Sequence, residues 1–170
     1  EGTFVRWLQI NYAFHTHQMD PIQDELIEVL SDISPQPTRI PYVSTVTGAE
    51  LPGEQIDAHY WWRNVREPVE FSKAVWAVVD KGSNLFLELG PHPIHTAAIN
   101  ECLANEGAKA TVVHSLVRGK PERDQLIKSA GMLHAVGYPL QWETFFSGEP
   151  QFVRLPSYPW QHESFWLESE

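Results

Sequence analysis

Histidine is the residue type whose spacing in this sequence could serve chemistry. His15 and His17 form an H-x-H pair, and His92 and His95 form an H-x-x-H pair. Two such pairs could supply the four nitrogen ligands of a tetrahedral zinc site. The spacing signal is weak, because neither an H-E-x-x-H motif nor a neighbouring cysteine accompanies it. Structural or surface histidines are the favoured interpretation, and a zinc-binding module remains an alternative.

A nucleophile is not evident in the chain. No serine lies in a G-x-S-x-G elbow, the turn that exposes a hydroxyl above an α/β-hydrolase sheet. Cys102 falls in a segment that reads as an apolar helix, where a thiol is ordinarily buried and inert. His15 follows a predicted strand, at the edge of the sheet where α/β proteins carry functional loops. The residues alone therefore leave His15 as a candidate base without a partner nucleophile.

Composition limits the class of protein. With 170 residues, of which 42% are hydrophobic and 20% charged, the chain can form one domain with a core, or one domain with a tail. Lys and Arg number 12 against 22 for Asp and Glu, and the net charge of −10 disfavours nucleic acid and anionic membrane surfaces. The apolar runs are far shorter than the ~20 residues of a membrane helix. We expect a soluble, cytoplasmic protein.

Strands and helices alternate in the sequence pattern, which predicts an α/β fold with a mostly parallel sheet. An Asp20-Pro21 pair resembles a helix start in which Asp20 is the cap and Pro21 the first helical residue. From residue 147 onward the periodicity is lost and aromatic residues alternate with prolines. The predicted strands span 3–10, 39–47, 85–89 and 110–116, and further helices span 57–65, 71–80, 94–105 and 124–136.

Four short stretches, taken in order, carry a resemblance to a known family. They are Tyr12-Ala13-Phe14-His15 with Met19-Asp20-Pro21, then 62–71 (WRNVREPVEF), then 88–93 (ELGPHP), and finally 155–161 (LPSYPWQ) with Phe165-Trp166. Together they resemble the C-terminal part of the acyltransferase domain of a modular type I polyketide synthase, followed by the linker that leaves that domain. Each motif is weak alone, but the ordered set covers essentially the whole chain.

The resemblance implies a division of the chain. Residues 1–146 would be the C-terminal portion of the acyltransferase domain, within its α/β-hydrolase-like subdomain. The strand at 3–10 would be the exit strand of a ferredoxin-like subdomain. Residues 147–170 would be a linker that docks on the domain and on a neighbouring ketosynthase. The aromatic residues expected to make this docking are Tyr158, Trp160, Phe165 and Trp166.

The resemblance also implies an activity, the transfer of a malonyl-type extender unit from coenzyme A to an acyl carrier protein by a Ser/His ping-pong mechanism. His15 matches the catalytic histidine of the family, and Asn64 matches the position whose main-chain carbonyl orients that histidine. Tyr12, Ala13 and Phe14 match the residues that select the extender. Tyr12 follows the methylmalonyl-type pattern Tyr-Ala-Ser-His, whereas Phe14 follows the malonyl-type pattern His-Ala-Phe-His. Malonyl is favoured, because a phenylalanine fills the space that a methyl branch needs.

The expected partners follow from the same resemblance. The serine elbow and the arginine that pairs with the extender's carboxylate are expected in an N-terminal half outside this sequence, so the chain should be inactive alone. We expect no bound cofactor or metal; a coenzyme A thioester is the substrate, and phosphopantetheine on the carrier protein is the acceptor. A ketosynthase neighbour and a homodimeric parent synthase are also expected. The alternatives are a non-catalytic scaffold and a malonyl transferase of a fatty acid synthase.

Overall fold

The structure, a computed structural model, describes residues 11–146, 148, 151–163 and 165–166. The strand predicted at 3–10 lies outside the described residues. The chain divides into two compact units, Glu1–Pro139 and Leu140–Glu170. The predicted domain boundary after residue 146 stays a prediction.

The first unit alternates short helices with small sheets, which confirms the α/β class. No helix in the described part of the chain is both long and apolar enough to cross a membrane. In chain order the elements are a 3-10 helix His17–Ile22, α1 Gln23–Val29, β1 Val43–Ser44, β2 Ala49–Glu50, a 3-10 helix Gly53–Gln55, α2 Ala58–Arg66, α3 Phe71–Val79, β3 Leu85–Glu88, α4 Thr96–Asn105, β4 Thr111–His114 and α5 Glu122–Ala135.

Two two-stranded sheets occur in the described residues, and only one of them is parallel. β3 and β4 pair in parallel, with Leu85 opposite Thr111, as the prediction of a parallel sheet requires. β1 and β2 instead form an antiparallel hairpin with Val43 opposite Glu50. The expectation of a mostly parallel sheet is therefore met by one pair alone.

The strand predicted at 39–47 is wrong in its extent, because only Val43–Ser44 is a strand. Pro41 has no N–H for a sheet ladder, and the chain already reverses before Gly48. Gly48 has a φ of 70°, and a Cβ there would lie 2.5 Å from the Cβ of Lys73. The β-branched run thus makes one arm of a tight hairpin that only glycine can close against α3.

The helix start predicted at Asp20 is also corrected. Thr16, and not Asp20, caps the 3-10 helix His17–Ile22, since its Oγ1 accepts the N–H of Gln18 at 3.2 Å. Pro21 lies inside this short helix, and α1 begins two residues later at Gln23. The carboxylate of Asp20 pairs with a side chain of α2 instead, as described below.

The larger core cluster lies between α3, α4 and the parallel sheet. Val75 of α3 and Ile99 and Leu103 of α4 are buried there. Phe86 of β3 and Val112 of β4 pack against them from the sheet. This burial supports the two parallel strands, whose carboxyl ends carry the loops that follow Glu88 and His114.

A buried polar network joins α2 to the hairpin. The hydroxyl of Tyr60 lies 2.8 Å from that of Tyr42 and 2.9 Å from Oγ of Ser44. Tyr60 and Ser44 are 3% and 0% exposed. Burial and the hydrogen bond with Tyr60 raise the pKa of Tyr42 to about 12. Tyr42 therefore stays uncharged near neutral pH, and the hydrogen bonds of Tyr60 fix the first turn of α2 against β1.

Candidate active site

The C-terminal end of α2 provides backbone acceptors for the candidate base. The helix ends at Arg66 because Pro68, shortly after it, has no N–H to continue the ladder. The carbonyl of Val65 accepts the backbone N–H of His15 at 2.8 Å. The carbonyl of Glu67 lies 2.8 Å from Nδ1 of the same histidine. The end of α2 thus binds both the backbone and the imidazole of His15.

The contact with Glu67 determines which nitrogen of His15 can act as a base. A carbonyl oxygen only accepts hydrogen bonds, so Nδ1 carries the hydrogen and donates it. In the neutral imidazole the lone pair then belongs to Nε2. Because His15 is exposed in the described structure, its ring is accessible to a group from outside this chain.

His15 has an unusual backbone conformation, a φ of 66°. A non-glycine residue in this left-handed region costs roughly 1–3 kcal/mol and persists only where its surroundings hold it. Oγ1 of Thr16 donates to the carbonyl of Ala13 at 2.8 Å and closes the turn around His15. Strain of this kind is concentrated at functional sites, which fits the candidate role of His15.

The acceptor at the ring differs from the predicted one. Asn64 was expected to orient His15 through its main-chain carbonyl, but the carbonyl within hydrogen-bond distance of Nδ1 belongs to Glu67. Asn64 lies inside α2, where carbonyls point along the helix axis. Glu67 follows the helix with φ −81° and ψ 157°, so its carbonyl turns away from that axis. Pro68 is the feature of the sequence that could have indicated Glu67, because a residue before proline is driven into this extended region.

Ion pairs surround the same helix end. Nε and Nη2 of Arg63 donate to the two carboxylate oxygens of Glu67 at 2.9 and 3.1 Å. This hydrogen bonding with Glu67 raises the pKa of Arg63 above its usual value. Nε of Arg66 pairs with Oδ1 of Asp20, in the 3-10 helix that follows His15. Both arginines of the last turn also carry the charge that a helix C-terminus favours.

The predicted selectivity residues lie on the loop of the candidate base. The rings of Tyr12 and Phe14 are tilted against each other with centroids 4.5 Å apart. The ring of Phe14 is edge-on to the imidazole of His15 at 6.3 Å. Tyr12 and Phe14 are 53% and 44% exposed, while Ala13 is half-buried. The structure therefore brings Tyr12, Phe14 and His15 together at one aromatic surface.

The histidines of the alternative zinc site have separate environments. His95 stacks on Phe71 with centroids 5.4 Å apart, and Nδ1 of His92 lies 3.4 Å from the backbone N–H of Arg118, which donates to it. Across the described ranges, no group of three or more His, Cys, Asp or Glu side chains could hold a metal ion. The zinc alternative gains no support.

Glu88 has a role that the sequence analysis did not identify. Its carboxylate accepts backbone N–H groups of Ile94, His95 and Thr96 at 2.8, 3.0 and 2.9 Å. Oγ1 of Thr96 donates to it at 2.6 Å. Burial opposes ionisation of Glu88, but these hydrogen bonds outweigh burial and lower its pKa to about 2. Glu88 therefore joins the carboxyl end of β3 to the N-terminus of α4.

An apolar cleft of about 420 Å³ lies between α1 and α2. A second cleft, of about 410 Å³, lies at the amino-terminal ends of the parallel strands β3 and β4, and its lining includes Lys109 and Tyr138. Neither is lined by His15. The residues of the apolar cleft are Leu26, Leu30, Ile33, Trp61 and Val65.

The aromatic residues of the predicted linker are exposed in the second unit. Tyr158, Trp160, Phe165 and Trp166 are 64%, 73%, 85% and 86% exposed. The rings of Tyr158 and Trp160 contact each other at 5.3 Å. In the described part of this unit the one regular element is a 3-10 helix, Trp142–Thr144.

An α/β unit with a strained histidine held by a helix end is consistent with an acyl-transfer domain. The chain belongs to the family described as the acyl transferase domain, which matches residues 1–138. Polyketide synthase GfsB of Streptomyces halstedii is 36% identical over 168 residues, 98% of this chain and 3% of that protein. Erythronolide synthase EryA2 of Saccharopolyspora erythraea is 36% identical over 170 residues, 99% of this chain and 5% of that protein.

Solved structures show the same relationship. The acyltransferase domain from module 8 of the salinomycin polyketide synthase matches with a TM-score of 0.79 and 34% identity, over 82% of this chain and 33% of that chain. A loading acyltransferase from the avermectin modular polyketide synthase matches with a TM-score of 0.66 and 33% identity, over 71% and 37%. The resemblance to polyketide synthase acyltransferase domains is confirmed, and this chain spans about one third of the solved domains.

Proposed function

We propose that this chain is the C-terminal portion of a polyketide synthase acyltransferase that moves a malonyl-type extender from coenzyme A to the phosphopantetheine thiol of an acyl carrier protein. The observation that carries the proposal is the hydrogen bond from Nδ1 of His15 to the Glu67 carbonyl. It makes Nε2 the basic nitrogen of an exposed imidazole, which is what a serine nucleophile needs. Membership of the acyl transferase family supports the same reaction class.

In the proposed first half-reaction, Nε2 of His15 removes the proton of a serine hydroxyl as the serine oxygen attacks the thioester carbonyl. The carbon–sulfur bond then breaks, and the imidazolium returns that proton to the leaving coenzyme A thiolate. The product is an acyl-serine. The serine is proposed to lie in the N-terminal half of the domain, with the arginine that binds the extender's free carboxylate.

In the second half-reaction the carrier's phosphopantetheine thiol is the nucleophile. Nε2 takes the thiol proton, the sulfur attacks the acyl-serine carbonyl, and the serine oxygen leaves with the proton from the imidazolium. The Glu67 carbonyl accepts from Nδ1 throughout, so it orients the ring and stabilises its charged form. A backbone carbonyl thus performs the part that an aspartate has in other triads.

Extender choice is proposed to depend on the aromatic surface beside His15. Phe14 takes volume next to the extender's α-carbon, which disfavours a methyl branch. Discrimination against one methyl group is worth only ~1–3 kcal/mol, and Tyr12 belongs to the methylmalonyl-type pattern. Malonyl is therefore the proposed extender, with measurable transfer of methylmalonyl.

The wider setting is proposed from the relatives, which are polyketide synthases far longer than this chain. A ketosynthase and an acyl carrier protein are the proposed neighbours in a dimeric synthase. The exposed aromatic residues of the second unit, such as Trp160 and Trp166, are proposed to dock on such a neighbour. The same exposure favours a second candidate function, a non-catalytic scaffold that holds neighbouring domains.

Intact-mass measurement of the polypeptide that carries this chain together with the serine segment separates the two functions. After incubation with malonyl-CoA we expect a gain of one acyl group, and less gain with methylmalonyl-CoA. His15→Ala should slow acylation by about 10²- to 10⁴-fold. His17→Ala, which changes the neighbouring exposed histidine, is the matched control. Acylation of the His15→Ala protein at the normal rate would remove the base assignment, and no acylation of the unaltered protein would favour the scaffold.

A further inference from the structure

Arg66 lies between the two residues that hold the candidate base. Its neighbours Val65 and Glu67 supply the carbonyls that accept from the backbone and from Nδ1 of His15, each at 2.8 Å. Any rotation of this helix end displaces both acceptors together. A contact made by Arg66 therefore acts directly on the geometry of the base.

Asp20 approaches the same point from the other side. It lies in the 3-10 helix His17–Ile22, which starts two residues after His15. Its Oδ1 pairs with Nε of Arg66. The pair closes a ring of contacts that runs along the chain from His15 to Asp20, across to Arg66, and back through the two carbonyls to His15.

This ring of contacts includes His15, whose φ of 66° makes it the one non-glycine residue with a positive φ among the described residues. The free-energy cost of the left-handed conformation is comparable to the net contribution of a single hydrogen bond. The two hydrogen bonds of His15, to the carbonyls of Val65 and Glu67, therefore exceed that cost only slightly. One more contact, the Asp20–Arg66 ion pair, can then decide how much of the protein has His15 in this conformation. The Arg66 side chain is 33% exposed and that of Asp20 55%, so the pair is neither fully screened nor fully buried.

We propose that Asp20 and Arg66 are positioning residues, whose ion pair holds His15 in the left-handed conformation in which its imidazole meets the Glu67 carbonyl. The proposal rests on the proposed function of His15, and it adds two residues that touch neither the substrate nor the reacting atoms. They act by raising the fraction of molecules in which Nδ1 of His15 donates to the Glu67 carbonyl and Nε2 is free to take a proton.

The first test measures malonyl transfer by the intact acyltransferase polypeptide. Asp20→Asn and Arg66→Gln should each lower kcat about three- to tenfold with KM for malonyl-CoA unchanged, as expected for a partly exposed pair. The double variant should be no worse than either single one, and Arg66→Lys should recover part of the loss. In a His15→Ala background, Arg66→Gln should have no further effect, whereas a general structural role would lower residual activity again.

The matched control is the Glu50–Lys81 ion pair, which joins β2 to the turn after α3 and is similarly exposed. Glu50→Gln and Lys81→Gln should leave kcat unchanged, and their thermal midpoints should match those of the Asp20 and Arg66 variants. If the Asp20 and Arg66 variants transfer as fast as these controls while His15→Ala is slow, the positioning role is wrong and the proposed function stands.

A second readout does not depend on activity. Long-range ¹H–¹⁵N spectra of the histidine-labelled polypeptide should show His15 as the Nδ1–H tautomer, with its signal assigned by its loss in His15→Ala. Arg66→Gln should convert this signal to a tautomer mixture, and Lys81→Gln should not. An unchanged His15 signal in Arg66→Gln would show that the Asp20–Arg66 pair does not position the imidazole, and this conclusion holds whether or not the protein transfers acyl groups.

Discussion

Nδ1 of His15 donates a hydrogen bond to the main-chain carbonyl of Glu67, 52 positions away, at 2.8 Å. The contact joins two motifs that are separate in the sequence, the loop of His15 and the segment after α2. It depends on a helix end, on a proline and on a strained backbone conformation. Substitutions that alter the helix end, the proline or the backbone conformation should therefore change how the imidazole of the candidate base is held.

Pro68→Ala should reduce acyl transfer by the intact acyltransferase polypeptide. Alanine relieves the restriction that keeps Glu67 extended and permits another turn of α2, which would rotate the Glu67 carbonyl toward the helix axis. Because the Glu67 carbonyl would then no longer orient the imidazole of His15, kcat should fall about tenfold. Steady-state kinetics with malonyl-CoA check this, with Pro52→Ala, at an exposed proline outside the site, as control. A Pro68→Ala protein with normal kcat would show that another contact orients the ring.

The lowered pKa of Glu88 predicts that the free energy of unfolding depends on pH. Its pKa in the folded protein is lowered to about 2, below the ordinary value of 4.5, so its ionised form stabilises the fold. That contribution is fully present above about pH 5 and is lost as the pH falls toward 2.

Glu88→Gln should remove this contribution. Since solvent screens part of the effect, the free energy of unfolding at pH 7 should fall by about 1–2 kcal/mol. Denaturant titration between pH 2 and pH 7 should show the difference from the unaltered protein shrinking with acidity. Glu101→Gln, at an exposed position of α4, is the control and should change little. A difference that is constant with pH contradicts the role assigned to the ionised carboxylate.

Tyr60→Phe should destabilise the unit without a change of charge. The substitution removes the hydroxyl that joins Tyr42 and Ser44, and the buried Ser44 hydroxyl loses one partner. A loss of about 1–3 kcal/mol is expected for a buried polar group left partly unpaired. Thermal unfolding measures it, with Tyr138→Phe, at a tyrosine that is 51% exposed, as control. Equal midpoints for the two variants would contradict the role of the network.

Sequence patterns predicted the elements that local periodicity determines. The helix expected at 57–65 is α2, Ala58–Arg66, with Asp57 as its cap through a 2.8 Å bond from the N–H of Tyr60. The strands expected at 85–89 and 110–116 are β3 and β4, which the structure pairs in parallel. In each case a polar cap or an apolar run decides the local structure, and few distant contacts are required.

Tertiary contacts decided the elements that were predicted incorrectly. Asp20 has the sequence of a helix cap, yet its carboxylate pairs with Arg66, 46 positions away, and Thr16 takes the cap. The orienting carbonyl was assigned to Asn64 by motif position, whereas the extended conformation before Pro68 turns Glu67 toward the ring. Local patterns cannot show such pairings, because each depends on where a distant segment packs.

Phe14→Ser should change the extender preference of the intact acyltransferase polypeptide. The ring of Phe14 lies edge-on to the imidazole of His15, with 6.3 Å between centroids, and it occupies volume beside the candidate base. Serine frees that volume, so the ratio of kcat/KM for methylmalonyl-CoA to that for malonyl-CoA should rise about tenfold or more, the range for one methyl group. Tyr12→His, which completes the malonyl-type pattern, should move the ratio in the opposite direction. Competition between the two thioesters, read as the mass of the acyl-enzyme, measures both variants. An unchanged ratio in Phe14→Ser would place the control of extender size outside this chain, in the segment that carries the serine.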